Sequence, residues 1–407
     1  MSRPPRLAVV TTHPIQYYAP LFRQLAANGL VQPRVFYGWT GAASGAALDR
    51  GFGTSFQWDV PLLDGYEHTF VPNVSRDPGT HHFGGIDGPG LISDIEDWKP
   101  DAVLVYGWSY RSHLRALRAF HGRVPILFRG DSTLTDEGDG VKARSRTLLR
   151  RAVLRWVYRH VDLALYVGQR NRAYFRAHGL AQDQLAWAPH SVENARFEDD
   201  AEGDYERDAT AWRAGLGIAT SDQAIVFAGK LESKKAPEVL LEAYARAFPT
   251  GVTPRDGGRV HLLFVGTGPL EDRLRAQAEG DSRVHFLGFQ NQSRMPVAYR
   301  LGDVFALPSR GPGETWGLAV NEAMACSRAI VVADAVGCAP DLVDDSNGAV
   351  VPAGDPEALA AALGRVLAGD TQAMGEASRR RVAAWSIPEQ VRCIEGAVLS
   401  LDRPTRN

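Results

Sequence analysis

The chain of 407 residues has only three cysteines, Cys326, Cys338 and Cys393, an odd number with no CxxC spacing. That excludes a disulfide framework and a cysteine zinc cluster, and it fits a reducing cytoplasm. Long apolar runs are also missing. The residues after Met1 lead straight into a short apolar segment, Leu7–Val10, well below a signal-peptide core or the ~18 residues of a membrane span. The expectation is a chain that is neither exported nor inserted. Excess charge of one sign is lacking too, with 45 Lys+Arg against 47 Asp+Glu, so binding of the whole chain to nucleic acid is not expected. Finally, GxGxxG, GxxxxGK[ST] and GxSxG do not occur, which removes the sequence anchors of a dinucleotide fold, a P-loop and an α/β-hydrolase.

What is present is the composition of a cored protein, 44% hydrophobic and 23% charged, of a length that suits two or three domains. Residues 1–195 carry 22 basic and 17 acidic side chains, and the remainder 23 and 30, so the halves net +5 and −7. Short apolar runs alternate with helical-length segments throughout. In the first half the runs are Leu7–Thr11, Arg34–Tyr37, Ala102–Tyr106, Pro125–Phe128 and Leu163–Val167; in the second, Ala224–Ala228, Val260–Val265, Val284–Leu287, Val304–Leu307 and Ile330–Ala333. Alternation of this kind implies parallel sheets covered by helices. The expected fold is α/β, two doubly wound Rossmann-like domains facing a cleft. Their bounds are 1–195 and 223–385, with an acidic, structure-poor linker over 196–222 and a last helix, 386–401, packing back on the first domain. Ligands of such sheets bind beyond the carboxyl ends of the strands.

Two clusters carry chemistry at such ends. Only five lysines stand among forty arginines, and three of the five, Lys230, Lys234 and Lys235, fall within six residues directly after the run Ala224–Ala228. Compact ammonium groups concentrated there suit a diphosphate. A solvated turn is the alternative, but lysine is unfavourable at a helix N-terminus, where the dipole prefers anions. The second cluster, Ser309-Arg310-Gly311-Pro312-Gly313-Glu314-Thr315-Trp316-Gly317-Leu318-Ala319-Val320-Asn321-Glu322, runs from a Gly/Pro loop into a helix. Unpaired N–H groups at the loop-to-helix junction near Thr315–Gly317 are expected to offer an anion site. If both are helical, Glu314 and Glu322 lie about 12 Å apart and about 80° around the axis, a span suited to two hydroxylated groups separated by a diphosphate. No two aspartates stand at i, i+2, so no DxD is available to hold a metal against such a diphosphate, and no metal is expected.

These residues resemble the family 4 glycosyltransferases, two-domain retaining enzymes of the GT-B fold. The matching segments are Glu314-x7-Glu322, Phe227-Ala228-Gly229-Lys230 through Lys235, Phe264-Val265-Gly266-Thr267-Gly268-Pro269, Val284-His285-Phe286-Leu287-Gly288-Phe289 and Ala333-Asp334-Ala335-Val336-Gly337-Cys338, nearly all of 220–355. The first half resembles a bacterial subgroup through Thr12-His13-Pro14-Ile15-Gln16-Tyr17-Tyr18, Trp58–Leu63, Arg129-Gly130-Asp131-Ser132 and Pro189-His190-Ser191-Val192. It departs from many relatives in having His13-Pro14-Ile15 for a glycine-rich first loop and Lys230 for an arginine. The resemblance implies that Lys230 and Lys235 clamp the donor diphosphate, Glu322 the ribose and Glu314 the donor sugar. It places Gly266, Gly268 and the backbone of Thr315–Leu318 on the donor, and the base by the loop carrying Phe289. It also implies retention of anomeric configuration without a metal or other cofactor.

The remaining expectations concern the first half. His13, Gln16, Arg129 and Asp131 are candidates for an acceptor site, with a mutual ion pair the alternative for Arg129 and Asp131. His81-His82 shows no third metal ligand at usable spacing. The helix Val141–His160 sets Arg144, Arg151, Arg155 and Arg159 on one stripe and Leu149, Val153, Trp156 and His160 on another. The apolar stripe is expected to pack on the sheet, and the basic one offers a peripheral contact with anionic membrane at the inner face of the cell membrane. Glycine-rich loops 40–56 and 73–90 are candidates for acceptor recognition. The function expected is transfer of a sugar from a nucleotide-diphosphate sugar to a hydroxyl of a glycan, glycolipid or small molecule. The alternatives are a nucleotide-sugar epimerase or phosphorylase, or a non-catalytic scaffold subunit on the same fold.

Overall fold

The computed structural model describes residues 3–41, 47–49, 54–136, 141–198, 204–249, 251 and 258–401, with the backbone alone at 47–49, 54–56, 136 and 141–145. The chain divides into two units, 1–47 with 60–190 and 387–407, and 48–59 with 191–386. The tail from Asp402 and most of loop 40–56 lie outside the described residues.

The first unit is built on strands β1 (Arg6–Thr11) and β2 (Gln32–Tyr37) and, beyond the short pair β3 (Ala47–Asp49) and β4 (Thr54–Phe56), on β5 (Glu67–Phe70), β6 (Ala102–Tyr106), β7 (Ile126–Arg129), β8 (Leu163–Tyr166) and β9 (Leu185–Trp187). They form a seven-stranded sheet in the order β5-β2-β1-β6-β7-β8-β9, parallel at every pairing. Its central strands are apolar on both faces because helices cover both. Helices α1 (Ala19–Asn28), α2 (Leu91–Trp98), α3 (Arg111–Phe120), α4 (Val141–Tyr158) and α5 (Gln169–Ala177) make the crossovers. One core holds Ile95, Leu117, Leu154 and Phe175, the other Phe22, Leu25, Val35 and Leu104.

The second unit carries β10 (Gln223–Ala228), β11 (Val260–Val265), β12 (Val284–Phe286), β13 (Val304–Leu307), β14 (Ala329–Ala333) and β15 (Gly348–Val351), ordered β12-β11-β10-β13-β14-β15 and again parallel throughout. Its helices are α6 (Asn194–Phe197), α7 (Tyr205–Gly215), α8 (Pro237–Ala247), α9 (Glu271–Gln277), α10 (Met295–Arg300), α11 (Leu318–Ala325), α12 (Ala339–Leu342), α13 (Pro356–Ala368) and α14 (Thr371–Val382). The last helix, α15 (Ile387–Leu401), returns to the first unit, where Val391, Ile394 and Val398 join the core beneath α1.

Two expectations need correction. The stretch 196–222 is not a structure-poor linker: α7 lies in it, and the stretch belongs to the second unit. The acids that suggested an extended connector start a helix instead, with the Asp204 carboxylate capping the Arg207 N–H and Glu206 and Asp208 in the first turn, where the dipole favours them. Arg213 then ties α7 down by donating to the carbonyls of Leu301 and Asp222, at 3.0 and 2.6 Å. Of the apolar stripe expected on α4, Leu149, Val153 and Trp156 likewise face away from the sheet, and only His160, just past the helix, is buried. Leu149 is 68% exposed, and Val153 and Trp156 are exposed beside it, while Leu154, Val157 and Tyr158 make the buried face.

Candidate functional site

In each sheet the strand order reverses beside the first strand, between β1 and β6 and between β10 and β13. Crossovers leave in opposite directions at such a point, which opens a crevice at the carboxyl ends of the two strands. In the second unit both clusters issue from this place. Lys230 follows β10, and Ser309 to Leu318 follow β13.

The two loops are strapped together. The Arg310 N–H donates to the Lys234 carbonyl at 2.9 Å. Lys235 Nζ sits 2.5 Å from Glu314 Oε2, which also accepts from Ser309 Oγ at 3.0 Å. Both members of the ion pair are largely shielded, their side chains 16% and 7% exposed. Ser233–Lys235 is a single 3-10 turn ahead of α8, so the lysines precede the helix rather than occupying its first turn. The next residue, Ala236, holds φ +50 fully buried, a left-handed conformation costing about 1 kcal/mol in a non-glycine residue and one that collects at functional sites.

Helix α11 starts only at Leu318, behind Gly317 at φ +96 and without a side-chain cap. Its first N–H groups therefore have no intrahelical acceptor. Glu314 lies in the turn before the helix, so the expected 12 Å helical separation from Glu322 does not apply. Glu322 is only 2% exposed and accepts from the Tyr299 hydroxyl at 2.5 Å, and Trp316 Nε1 donates to Asn321 Oδ1 at 2.9 Å. Ser309, Tyr299 and Asn321 received no role from the sequence. Ser309 and Asn321 stood inside the glutamate segment, but nothing marked Tyr299, which reaches Glu322 from α10.

Gly266 and Gly268 have a steric role. A Cβ on Gly266 would lie 2.1 Å from the Gly229 carbonyl oxygen, and one on Gly268 2.6 Å from that of Leu231. Bare backbone at both lets the loop after β11 press against the Lys230 loop, where Thr267 O accepts from Leu231 N at 3.0 Å. Phe289 is half-buried just past Gly288, whose carbonyl accepts from Gly266 N at 2.8 Å. The loop after β12 is thereby attached through backbone to the loop after β11, and that loop in turn to the Lys230 loop.

In the first unit a cavity of about 290 Å³ opens at the carboxyl ends of β1, β6 and β7, lined among others by Tyr18, Tyr106, Trp108, Arg129, Asp131 and His190. Of the four acceptor candidates, Arg129 and Asp131 line it and His13 and Gln16 do not. The buried Arg129 guanidinium donates to the carbonyls of Ala188 and Pro189, both at 2.8 Å, which fixes the segment presenting His190. Burial pushes His190 down to about 3, with Arg129 adding to the effect, and pushes His13 down to about 4. Both imidazoles are neutral at pH 7. Tyr18, 4.8 Å from Tyr106 between ring centroids, completes an aromatic wall. Tyr18 and His190 stood in quoted motifs without a role, and Tyr106 ended the expected strand Ala102–Tyr106 without one.

The His81-His82 pair does have a third neighbour, which corrects the spacing argument. Asp77 Oδ2 lies 2.8 Å from His81 Nε2, and the three residues form an exposed group of potential ligands. His82 uses Nδ1 to accept from the Gly84 N–H and Nε2 to meet the Asp77 carbonyl, so the group clasps the loop. Loop 73–90 is further closed by Asn73, which donates to Gly85 O and accepts from Asp87 N.

Residues 222–369 match the profile of the family described as Glycosyl transferases group 1. The second unit is a family 4-like glycosyltransferase domain. Among its relatives, the D-inositol 3-phosphate glycosyltransferase of Mycolicibacterium gilvum is 34% identical over 189 residues, 44% of this chain and 40% of that one. A GDP-mannose-dependent monoacylated α-(1-6)-phosphatidylinositol monomannoside mannosyltransferase of Corynebacterium glutamicum is 30% identical over 245 residues, 58% of this chain and 61% of that one. The chain thus spans about two-fifths of the length of the first curated relatives it matches. Among solved structures, HepE of Anabaena in complex with UDP and glucose superposes with a TM-score of 0.69 at 17% identity, covering 97% of this chain and 100% of that one. Sucrose-phosphate synthase of Thermosynechococcus elongatus gives 0.71 at 20% identity, covering 98% and 99%. The family 4-like domain and its partner unit thus have the GT-B fold, two Rossmann-like α/β domains.

Proposed function

We propose that the chain is a retaining glycosyltransferase that needs no metal and moves a sugar from a nucleoside-diphosphate sugar to a hydroxyl of a glycan, glycolipid or small molecule. The observation that carries this reading is the Lys235–Glu314 pair, held at the switch point of a family 4-like domain beside the uncapped N-terminus of α11. In this reading Lys230 and Lys235 hold the diphosphate, Glu322 the ribose, Glu314 the sugar, and the backbone from Thr315 to Leu318 the charge that grows on leaving. The base lies by Phe289. The acceptor enters the aromatic cavity of the first unit, with Arg129 and Asp131 at its wall. The setting is the cytoplasm, with peripheral contact at the inner face of the membrane.

The chemistry needs no enzymic nucleophile. The sugar–oxygen bond breaks with its electron pair on the departing diphosphate, whose new charge is met by ammonium and N–H groups already in place. The acceptor oxygen attacks the face just vacated, and its proton passes to the diphosphate oxygen. Cationic side chains thereby take the part that a DxD-bound metal plays where that motif exists.

Transfer in the presence of EDTA, with the anomeric configuration of the product read by NMR, tests this directly. The expected product keeps the donor's configuration, and turnover stays within about twofold of the untreated rate, a barrier change below RT. Inversion, or abolition by the chelator with rescue by a divalent ion, overturns the reading.

A further inference from the structure

Helix α4 presents two apolar faces, and only one is explained by the fold. Leu154, Val157 and Tyr158 are buried against the first unit, while Leu148, Leu149, Val153 and Trp156 point the other way and are 68, 68, 40 and 37% exposed. Among the described residues, nine large hydrophobic side chains are exposed, and four of them fall within these nine positions of one helix. The other five are scattered, as single exposed apolar groups normally are. At 100° per residue the outward four span an arc of about 140°, centred nearly opposite the buried side. A contiguous apolar patch of this kind marks a surface that is covered in use.

Its borders say by what. The segment 141–160 contains seven basic residues and no acid. Arg146 and Arg150 flank one edge of the apolar arc, Arg151 and Arg155 the other, and Arg159 lies within it. Arg118 of α3 and Arg159 both approach the Trp156 ring, at 5.8 and 5.9 Å from its centroid. The neighbouring helices add no opposing charge, since α3 and α5 hold three arginines each and no acid. Apolar side chains and an interfacial tryptophan inside a ring of arginines match a surface that is hydrocarbon below and anionic above. No helix among the described residues is long and apolar enough to cross a membrane, so the contact is with a surface.

We propose that the outward face of α4 docks the chain on a bilayer bearing anionic headgroups, with Leu148, Leu149, Val153 and Trp156 entering the headgroup–acyl boundary and the arginines pairing with the lipid phosphates. This rests on the function proposed above only for the peripheral contact named there. The helix also orients what it carries, because Tyr158 at its inner face lines the cavity assigned to the acceptor.

The test is sedimentation of the full chain with phosphatidylcholine vesicles containing about 30 mol % phosphatidylglycerol, against phosphatidylcholine alone, near 0.1 M and 0.5 M salt. Wild type is expected to sediment with the anionic vesicles and to be largely released at the higher salt. Leu148→Glu/Leu149→Glu and, separately, Arg146→Gln/Arg159→Gln should each lose about tenfold in partitioning while keeping the melting temperature and the response to nucleotide of wild type. Equal binding to both vesicle types overturns the proposal. So does unchanged binding by both variants, or a wild-type dimer that Leu148→Glu/Leu149→Glu converts to monomer without affecting sedimentation. Nucleotide titration reports on the donor site in the same samples, so failure here is separable from failure of the proposed function.

Discussion

Replacing Lys235 by alanine is expected to lower turnover by about 10²–10³, the loss of 2–4 kcal/mol of transition-state stabilisation that follows removal of one preorganised donor to a developing anion. The same change leaves Glu314 shielded without its cation, 7% exposed, with the Ser309 hydroxyl still donating to its Oε2 at 3.0 Å. Breaking such a pair costs about 2–4 kcal/mol in stability here, below the fully buried case because Lys235 keeps some access to solvent. The two losses have different remedies. In Lys235→Ala/Glu314→Gln no stranded carboxylate remains, so the melting temperature should recover while turnover does not. Recovery of both would reduce the lysine to a structural counter-ion and remove it from the chemistry. Steady-state kinetics and thermal melts on the wild type and the two variants decide between these outcomes.

The second large effect is expected at Gly337. A Cβ there would stand 1.7 Å from the Thr315 carbonyl oxygen and 2.9 Å from the Trp316 Cα, with backbone on both sides and no flexible side chain to yield. The loop bearing Glu314 is bonded to this glycine's segment through Gly337 N to Glu314 O at 3.1 Å and Cys338 N to Trp316 O at 2.9 Å. Gly337→Ala must therefore displace the loop that carries Glu314. A cost of about 3 kcal/mol is expected, with a melting temperature roughly 6–12 °C lower. A displacement near 1 Å at the Glu314 carboxylate, in the role proposed for it, adds a fall of about 10² in turnover. Gly364, in the middle of α13 with nothing within 4 Å of its Cβ position, is the control. Gly364→Ala should raise stability by about 0.5–1 kcal/mol, because alanine loses less backbone entropy in a helix.

The central strands were legible from sequence because strands buried on both faces must be apolar at every position, as Val304–Leu307 and Ile330–Ala333 are. The edges were not. β5, with Glu67-His68-Thr69-Phe70, and β9, with three residues, each have one neighbour and need no continuous apolar run. Helix α14 was missed for a similar reason. Its sequence TQAMGEASRRRV is polar, and what fixes its start is a cap, the Asp370 carboxylate on the Ala373 N–H.

At the donor cluster the lysines and glutamates were legible as residue types in a motif, but their contacts were not. Spacing along a helix assumed that Glu314 was helical, whereas Gly313 and Gly317, at φ +91 and +96, turn the chain before α11 begins. Ser309 stands in the same loop as Glu314, but Lys235 reaches Glu314 from the loop after the neighbouring strand β10 and Tyr299 reaches Glu322 from α10, and no motif spacing shows either contact. On the first unit, His13 followed a strand end yet lies outside the cavity, its ring 5.3 Å from Trp39. His190, 177 positions later, lines the cavity through a carbonyl anchor on Arg129.

Calorimetric titration of UDP, GDP, dTDP and ADP into wild type and Glu322→Gln tests the donor site most directly. Glutamine keeps an acceptor for the Tyr299 hydroxyl, so the fold should persist while the charged acceptor proposed for the ribose is lost. The account predicts that one nucleotide binds wild type selectively and binds the variant about 10- to 100-fold more weakly, the difference of 1.5–3 kcal/mol carried by hydrogen bonds to a charged group. No binding by any nucleotide, or equal affinity in the two proteins, would contradict it.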